Sequence, residues 1–438
     1  MTELPVVVIG AGPVGLAAAA HLANRNLDFL VLEASTGVSA HLRSTGHVGL
    51  FSPWSMNVDS AAVRLLETLS WVAPNPDDKP TAGELCARYL EPLGQALGPR
   101  IRFDHRVVGI SRRGFDKLKT HGRELAPFVV RTISHGREED VYARAVIDAT
   151  GTWATPNPMG VNGQPARGEH ALAARIRYGM PDVLGAERQR YANKRVLVVG
   201  SGHSAAGSLI SLAQLAEQEP RTRISWAVRA GNLQRIFGGG GKDGLPERGK
   251  LGTKLRQLTE AGVLDLFTAF QIETVEEERG HLHVAGRGPD GAALSVRGID
   301  EIIVATGSRP ELSLARELRL RLDPWLESTE QLAPLIDPNV HSCGSVPPHG
   351  HRELAHPEIG YYAIGAKSYG RAPNFLLATG YEQARSVVAA IAGDLAAADD
   401  VQLVLPETGV CSTDFAEAES SKACCGPAKA APDQKGCC

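Results

Sequence analysis

Apolar residues in this chain come in short β-branched runs that break off at glycine, a pattern of buried parallel strands meeting tight turns. The first run, Val6 to Ile9, meets Gly10, Gly12 and Gly15, and an alanine-rich stretch of helical character follows to Asn26. A second run, Phe29 to Leu32, ends on Glu33. Strand, Gly-x-Gly-x-x-Gly turn, helix, strand and acid in that order predict a dinucleotide-binding unit. Gly10 permits the tight turn, Gly12 lets backbone approach a pyrophosphate, and Gly15 allows the helix to pack closely on the strand. The helix N-terminus offers N–H donors and positive dipole to phosphate. Glu33, about twenty residues past the glycines, can accept hydrogen bonds from ribose hydroxyls.

The pattern recurs. Arg195 to Val199 is a strand-like run that meets Gly200, Ser201, Gly202, His203, Ser204 and Ala205, with alanine as a permitted third small residue. The strand predicted over Ile224 to Val228 ends on Arg229 where the first copy has Glu33. A guanidinium there can pair with a 2′-phosphate, which favours NADP over NAD; the competing reading is an arginine that caps a strand in solvent. Two further runs rhyme, Val146-Ile-Asp-Ala-Thr-Gly151 and Ile302-Ile-Val-Ala-Thr-Gly307, each ending where the chain must turn near a cofactor or a domain border. Shorter strands are expected over Ile101–Ile110, Phe128–Thr132 and Val141–Ala149. Thr81 and Glu84 form a capping-box pattern opening a helix through Leu90.

This repeat implies an α/β chain in which one Rossmann-like domain is inserted into another. The expected division is a first dinucleotide-binding unit over 1–165 and 308–395, an NADP unit over 190–307, and a flexible cysteine-rich tail over 396–438. The length, 438 residues, is consistent with about three folding units. Hydrophobic and charged fractions of 43% and 22% are those of an ordinary globular chain. A net charge of −3 gives no general case for nucleic acid or an anionic membrane as partner. The most apolar stretch, Val6 to Ala23, is interrupted by Gly10, Gly12, Pro13 and Gly15. Thr2 and Glu3 stand where a signal peptide would be basic. No membrane span is expected, and the reading is cytoplasmic, where thiols stay reduced.

Two nested glycine fingerprints with paired Ala-Thr-Gly segments resemble the two-dinucleotide-binding-domain flavoproteins, which include thioredoxin-reductase-like enzymes and flavin-containing monooxygenases. The resemblance covers roughly residues 1–395. It implies FAD on the first fingerprint, with Gly10, Ala11, Gly12, Pro13, Gly15, Glu33, Arg43, Val107, Thr150 and Gly151 in contact. It implies NADPH on Gly200, Ser201, Gly202, His203, Ser204, Ala205 and Arg229. Such proteins close the FAD site with a late strand, a Gly-Asp pair and a helix aimed at the flavin ring. Here Gly360 to Lys367 resembles that strand and Phe375 to Ala392 that helix, placing Gly365, Ala366 and Lys367 at the flavin. Ala366 stands where the family has aspartate, with Lys367 or Ser368 as compensating residues. A second alignment puts Val340 to Ser345 in that place. Within the superfamily the chain is most similar to flavoprotein monooxygenases of bacterial arsenic-resistance operons, on Gly46 to Trp54, Lys367 to Arg371 and the cysteine-bearing end.

Cysteine placement narrows the chemistry. Disulfide reductases of this superfamily stack a cysteine pair on the flavin, yet Cys86 is the only cysteine in the first 340 residues, and it reads as core. The Gly168–Gly179 segment lacks the FxGxxxH pattern of one monooxygenase group. Cys424-Cys425 and Cys437-Cys438 are vicinal pairs in the last fifteen residues. Their thiolates suit a soft metal or metalloid, with Cys411 as a third ligand. A disordered tail with incidental cysteines is the competing reading.

Further candidates are Cys343 and His41. Cys343, with His341, His349, His351 and His356 around it, is either a reactive thiol or ligand cluster, or a loop of solvated histidines. His41 and Arg43 follow Glu33 closely enough to reach the cofactor. Gly238 to Gly241 is either a lid or a plain loop, and Trp54 either a pocket wall or core.

The expected function is NADPH-dependent FAD monooxygenation of a soft nucleophile, a trivalent arsenical or a sulfur or nitrogen compound, through a flavin hydroperoxide. The expected partners are a small-molecule substrate and molecular oxygen, with a homodimer as candidate assembly. The alternatives are a reductase fed by the tail cysteines and a flavin-containing metalloid-binding protein.

Overall fold

The computed structural model describes residues 4–233, 237, 246–340 and 346–403. Two five-stranded parallel sheets form the scaffold. In the first, the strands Tyr361–Ala363, Ala145–Asp148, Val6–Ile9, Phe29–Leu32 and Ile101–Arg102 lie side by side in that order. In the second the order is Leu264–Phe267, Arg223–Ala227, Arg195–Val199, Glu301–Val304 and Ile176–Tyr178. The glycine-fingerprint strand is central in both. Its two successors lie on one side and the Ala-Thr-Gly strand on the other, so the repeat extends to whole-sheet topology.

Each parallel sheet also carries a three-stranded antiparallel sheet, inserted between its third strand and its Ala-Thr-Gly strand. These are Arg106–Arg112, Phe128–Ser134 and Arg137–Ala143 in the first, and Gln271–Glu278, His281–Arg287 and Ala293–Ile299 in the second. The fifth parallel strand shows the nesting. The first sheet takes Tyr361–Ala363 from chain that follows the whole second unit. The second takes Ile176–Tyr178 from chain that precedes its own fingerprint.

Several expected boundaries are corrected. Ile101–Ile110 is two strands, because Asp104 adopts a left-handed φ of 57° and turns the chain from the parallel to the antiparallel sheet. Val141–Ala149 is likewise divided at Arg144, with its halves in different sheets. The first helix ends at Asn24 rather than Asn26. Thr81 and Glu84 do form a reciprocal capping box, but helical structure continues past Leu90 to Leu97. The strand Ile176–Tyr178 places part of the second unit upstream of residue 190. The packed chain also runs beyond 395, since Leu395–Asp399 is helical with Ala398 buried.

The helix Pro13–Asn24 is buried from Val14 to Leu22 and packs on the helix Leu377–Ile391, itself buried from Thr379 to Ala389. Polar groups inside this layer are satisfied internally. Glu382 pairs with Arg385 at 2.6 Å, and Tyr381 donates to the Asn57 carbonyl at 2.9 Å. Glu358 holds the first antiparallel sheet to the late strand by accepting from Arg112 at 2.8 Å and Arg123 at 2.9 Å. Burial alone would raise the Glu358 pKa. The Arg319 N–H and the two guanidiniums outweigh it and hold the carboxyl below its ordinary range.

The two parallel-sheet units are joined by paired chain segments just past the Ala-Thr-Gly turns. Thr306 Oγ1 donates to the Asn157 carbonyl at 2.6 Å, Asn157 N–H donates to Gly307, and Ser308 Oγ donates to Thr152 Oγ1 at 2.8 Å. The small polar residues after each turn knit the two crossings into one linker.

Candidate functional site

Both glycine loops lie at the C-terminal edge of their central strand, where open α/β sheets bind ligands. Gly10 has φ +98° and Gly200 φ +131°, a region costly for any residue with a Cβ. A Cβ on Gly10 would stand 2.9 Å from the Ala149 carbonyl oxygen, and one on Gly200 2.2 Å from that of Ala305. The turns therefore sit directly against the Ala-Thr-Gly strands, which explains why the two motifs occur as a pair. Gly12 and Gly202 face open space, with nothing within 4 Å of a built Cβ, and each begins a helix whose first N–H groups receive no side-chain cap. Those donors and that cradle fit a diphosphate.

The third position separates the copies. A Cβ on Gly15 would lie 2.0 Å from the Gly10 carbonyl oxygen, whereas Ala205 is accommodated and fully buried. The helix in the first copy is thus seated closer to its turn. Pro13 occupies the first helical position there, where a missing N–H costs nothing. Glu33 accepts from the Ala11 N–H at 2.7 Å and from both Ser35 N and Oγ at 2.8 and 2.6 Å. Its carboxylate is locked beside the phosphate loop, a placement that fits a ribose. In the second unit, Trp226 Nε1 donates to the Gly200 carbonyl at 2.8 Å and steadies the turn. Ser201, Gly202 and His203 are exposed and Ser204 half-buried. Phe51 of the first unit meets the His203 ring edge-on at 5.3 Å. Arg229 is exposed two residues past its strand, with one long contact of 3.4 Å to the Val161 carbonyl.

Around the first loop, Gly365 (φ +72°) packs against Val14, its built Cβ 3.3 Å from Val14 Cβ, so the turn 365–369 lies over the start of the Pro13–Asn24 helix. Lys367 is not a surface cation. Its Nζ is buried 2.5 Å from Asp148 Oδ2 and 3.1 Å from Thr150 Oγ1. Tyr361 donates to the same Asp148 oxygen at 3.1 Å, while Thr150 donates through N and Oγ1 to the other. Burial, with Asp148 alongside, keeps the Tyr361 phenol far above its ordinary pKa, so it remains a donor. Lys367 thus cannot stand in for the aspartate missing at Ala366 by reaching outward. Its charge is committed to the Ala-Thr-Gly turn.

Val107 is buried with Val7, Ile9 and Leu32. Arg43 donates to the Val38 carbonyl at 2.9 Å and lies 3.4 Å from Glu91, half-exposed. The His41 ring lies flat on Trp153, centroids 5.2 Å apart and planes 11° from parallel.

Trp54 is core, 2% exposed with the Arg88 guanidinium over its ring. Trp153, two residues past Gly151, is by contrast exposed. His341 lies outside the described residues, and the three histidines after Cys343 are held apart, His349 and His356 buried and His351 half-buried. His349 receives the Gln383 amide at 2.9 Å, His351 meets Asp399, and His356 accepts from Arg321 N–H with its pKa pushed down to about 4 by burial. Among the described residues no group of three or more His, Cys, Asp or Glu is arranged to hold a metal. Cys343, Cys411, Cys424, Cys425, Cys437, Cys438 and the Gly238–Gly241 segment lie outside the described residues. No helix among them is long and apolar enough to cross a membrane.

Sequence reasoning passed over Asp148 and Trp153. The signal for Asp148 was available, since an acid inside the apolar run Ala145-Val-Ile-Asp-Ala149 marks a charge that must be paired when buried.

Two phosphate cradles on nested parallel sheets, one with an acid and one with an arginine past the second strand, define a two-nucleotide oxidoreductase. A family model described as pyridine nucleotide-disulphide oxidoreductase matches residues 7–343. The chain belongs to that family and is an FAD-dependent oxidoreductase working with a pyridine nucleotide. No curated protein matches it in sequence. Among solved structures, the bacillithiol disulfide reductase of Bacillus cereus superposes with a TM-score of 0.66 at 18% identity, covering 90% of this chain and 99% of that one. The FAD-bound cadaverine monooxygenase of desferrioxamine biosynthesis from Erwinia amylovora gives 0.63 at 15%, covering 93% and 96%. A flavin monooxygenase from Stenotrophomonas maltophilia gives 0.54 at 22%, covering 90% and 99%. These likenesses concern the fold.

Proposed function

We propose that this protein is a cytoplasmic NADPH-dependent FAD monooxygenase that oxidises a soft nucleophile, a trivalent arsenical or a sulfur or nitrogen compound. The observation that carries this reading is the state of the cysteines near the flavin loop. Cys86 is the free cysteine of the described residues, 2% exposed, its Sγ 4.0 Å from the Ser39 carbonyl, and burial pushes its pKa up. A buried neutral thiol is a poor redox nucleophile. Residues 1–340 contain no second cysteine to pair with it, which favours oxygen over a protein dithiol as electron acceptor.

When bound, FAD would accept hydride from NADPH and, once reduced, activate oxygen. The chain's own residues bind and orient. The loop N–H groups after Gly10 and Gly200 hold diphosphates, Glu33 receives ribose hydroxyls, and Arg229 pairs with the 2′-phosphate. The exposed Arg229 makes a sharp expectation. A charge-assisted contact contributes about 1.5–3 kcal/mol, so Arg229→Ala should raise the KM for NADPH by roughly 10- to 100-fold and leave that for NADH nearly unchanged. Equal changes for both nucleotides would remove Arg229 from the phosphate.

The function is tested by following NADPH oxidation with arsenite, a thioether or an amine, with and without oxygen, using labelled dioxygen. The expected result is oxygen-dependent, substrate-stimulated turnover with the label in the product. The structural likeness to a disulfide reductase and the tail pairs Cys424-Cys425 and Cys437-Cys438 favour a second reading, a reductase fed by those thiols. Anaerobic turnover that disappears in Cys437→Ser/Cys438→Ser would replace the first reading by the second.

A further inference from the structure

The chain from Ser39 to Phe51 runs from one nucleotide loop to the other. At its start, the Ser39 N–H donates to the Ala11 carbonyl of the first glycine loop at 3.0 Å. At its end, the Phe51 ring meets His203, the first residue of the helix His203–Gln218 that follows the second loop, with centroids 5.3 Å apart and edge-on. Of the ring pairs among the described residues, this is the one that joins the two units.

Phe51 is held by the first unit. The Leu50 N–H donates to the Pro80 carbonyl at 2.9 Å, and the Trp54 N–H to that of Asp78 at 2.8 Å. Ser52 Oγ donates to Asn57 Oδ1 at 3.0 Å, and the buried Asn57 amide donates to the Ser52 and Pro53 carbonyls. The backbone on both sides of Phe51 is therefore fixed. Its half-buried ring stays out of the first unit's core, although its neighbours Leu50 and Trp54 join that core. The contact borders open space, since a Cβ on Gly49 or on Gly202 would meet nothing within 4 Å.

Hydride has to leave a nucleotide on the second loop and reach a flavin on the first. With the adenosine end at Arg229, the nicotinamide half leaves the second loop toward the first unit, and the ring that unit places there is Phe51. The geometry points to a composite site: we propose that Phe51 positions the nicotinamide half of NADPH, its ring packing against that half where it crosses between the units. A phenyl ring offers a flat apolar face and no competing hydrogen-bonding group, which suits a planar ring. This inference rests on NADPH occupying the second loop.

The test uses the full FAD-loaded chain, titrated calorimetrically with NADP+ and with 2′,5′-ADP, which lacks the nicotinamide half. The quantity read is the ratio of the two affinities in wild type, Phe51→Ala and Phe51→Leu. Loss of one stacked ring contact should lower that ratio by about tenfold in Phe51→Ala, with 2′,5′-ADP bound as in wild type. Phe51→Leu keeps most of the packed volume and should lower the ratio in the same direction, by less, at an unchanged melting temperature. An unchanged ratio in either variant, whether both ligands bind as before or both weaken in parallel, would overturn the proposal and leave the nucleotide on the second loop. Wild type that binds neither ligand would overturn that assignment and the proposal with it.

Discussion

Gly15→Ala will leave the purified protein with little or no FAD. The new methyl carbon would stand 2.0 Å from the Gly10 carbonyl oxygen and 3.3 Å from Ala149 Cβ. Gly10 has little room to yield, because its N–H donates to the Leu32 carbonyl at 2.8 Å and even a Cβ on it would stand 2.9 Å from the Ala149 carbonyl oxygen. The helix Pro13–Asn24 must move off the sheet instead. Overpacking of a close contact costs about 1–3 kcal/mol and more where backbone has to shift. The displacement also draws the loop donors away from the diphosphate, and a further loss near 2.7 kcal/mol corresponds to roughly 100-fold weaker binding. Visible flavin absorbance per chain measures this directly. A Gly15→Ala protein with stoichiometric FAD would show that the helix is less tightly seated than described. The mirror change, Ala205→Gly, should cost only about 1 kcal/mol, because an alanine already fits there.

Lys367→Met is expected to have a comparable effect on stability. Asp148 is fully buried and shares its charge with one ammonium, one phenol and the Thr150 donors. Removing the ammonium leaves a buried carboxylate without a counter-charge, a loss of about 3–5 kcal/mol. The damage should extend to the cofactor, since this pair ties the Gly365 turn to the Ala-Thr-Gly turn on the opposite side of the loop. Asp148→Asn introduced together with Lys367→Met should recover most of the stability, as a neutral amide can still accept from Tyr361. Denaturant unfolding of the two single variants and the double variant gives the coupling. Additive losses in the double variant would mean that the two charges do not depend on each other.

Much of this was visible in the residue order because it is local physics. β-branched runs build buried strands, and a turn with φ near +98° or +131° admits glycine far more readily than any other residue. Glu33 and Arg229 follow their strands by one and two positions, so their places were set as soon as the strands were recognised. The breaks at Asp104 and Arg144 were less legible. Apolar residues resume within a few positions of each, so neither break stands out without the left-handed turn at Asp104 and the change of sheet at Arg144.

What the sequence determined by itself was the pair of phosphate loops, their order along the chain and the nested α/β architecture, since each depends on contacts between near neighbours. What only the tertiary structure decided were partnerships across hundreds of residues: Lys367 with Asp148, Arg112 with Glu358, Tyr381 with Asn57. The same holds for which of Trp54 and Trp153 is core and which is exposed. In each case the residue types were plain, but the free energy of a buried charge or ring depends on what packs around it. That neighbourhood exists only once the chain has closed on itself.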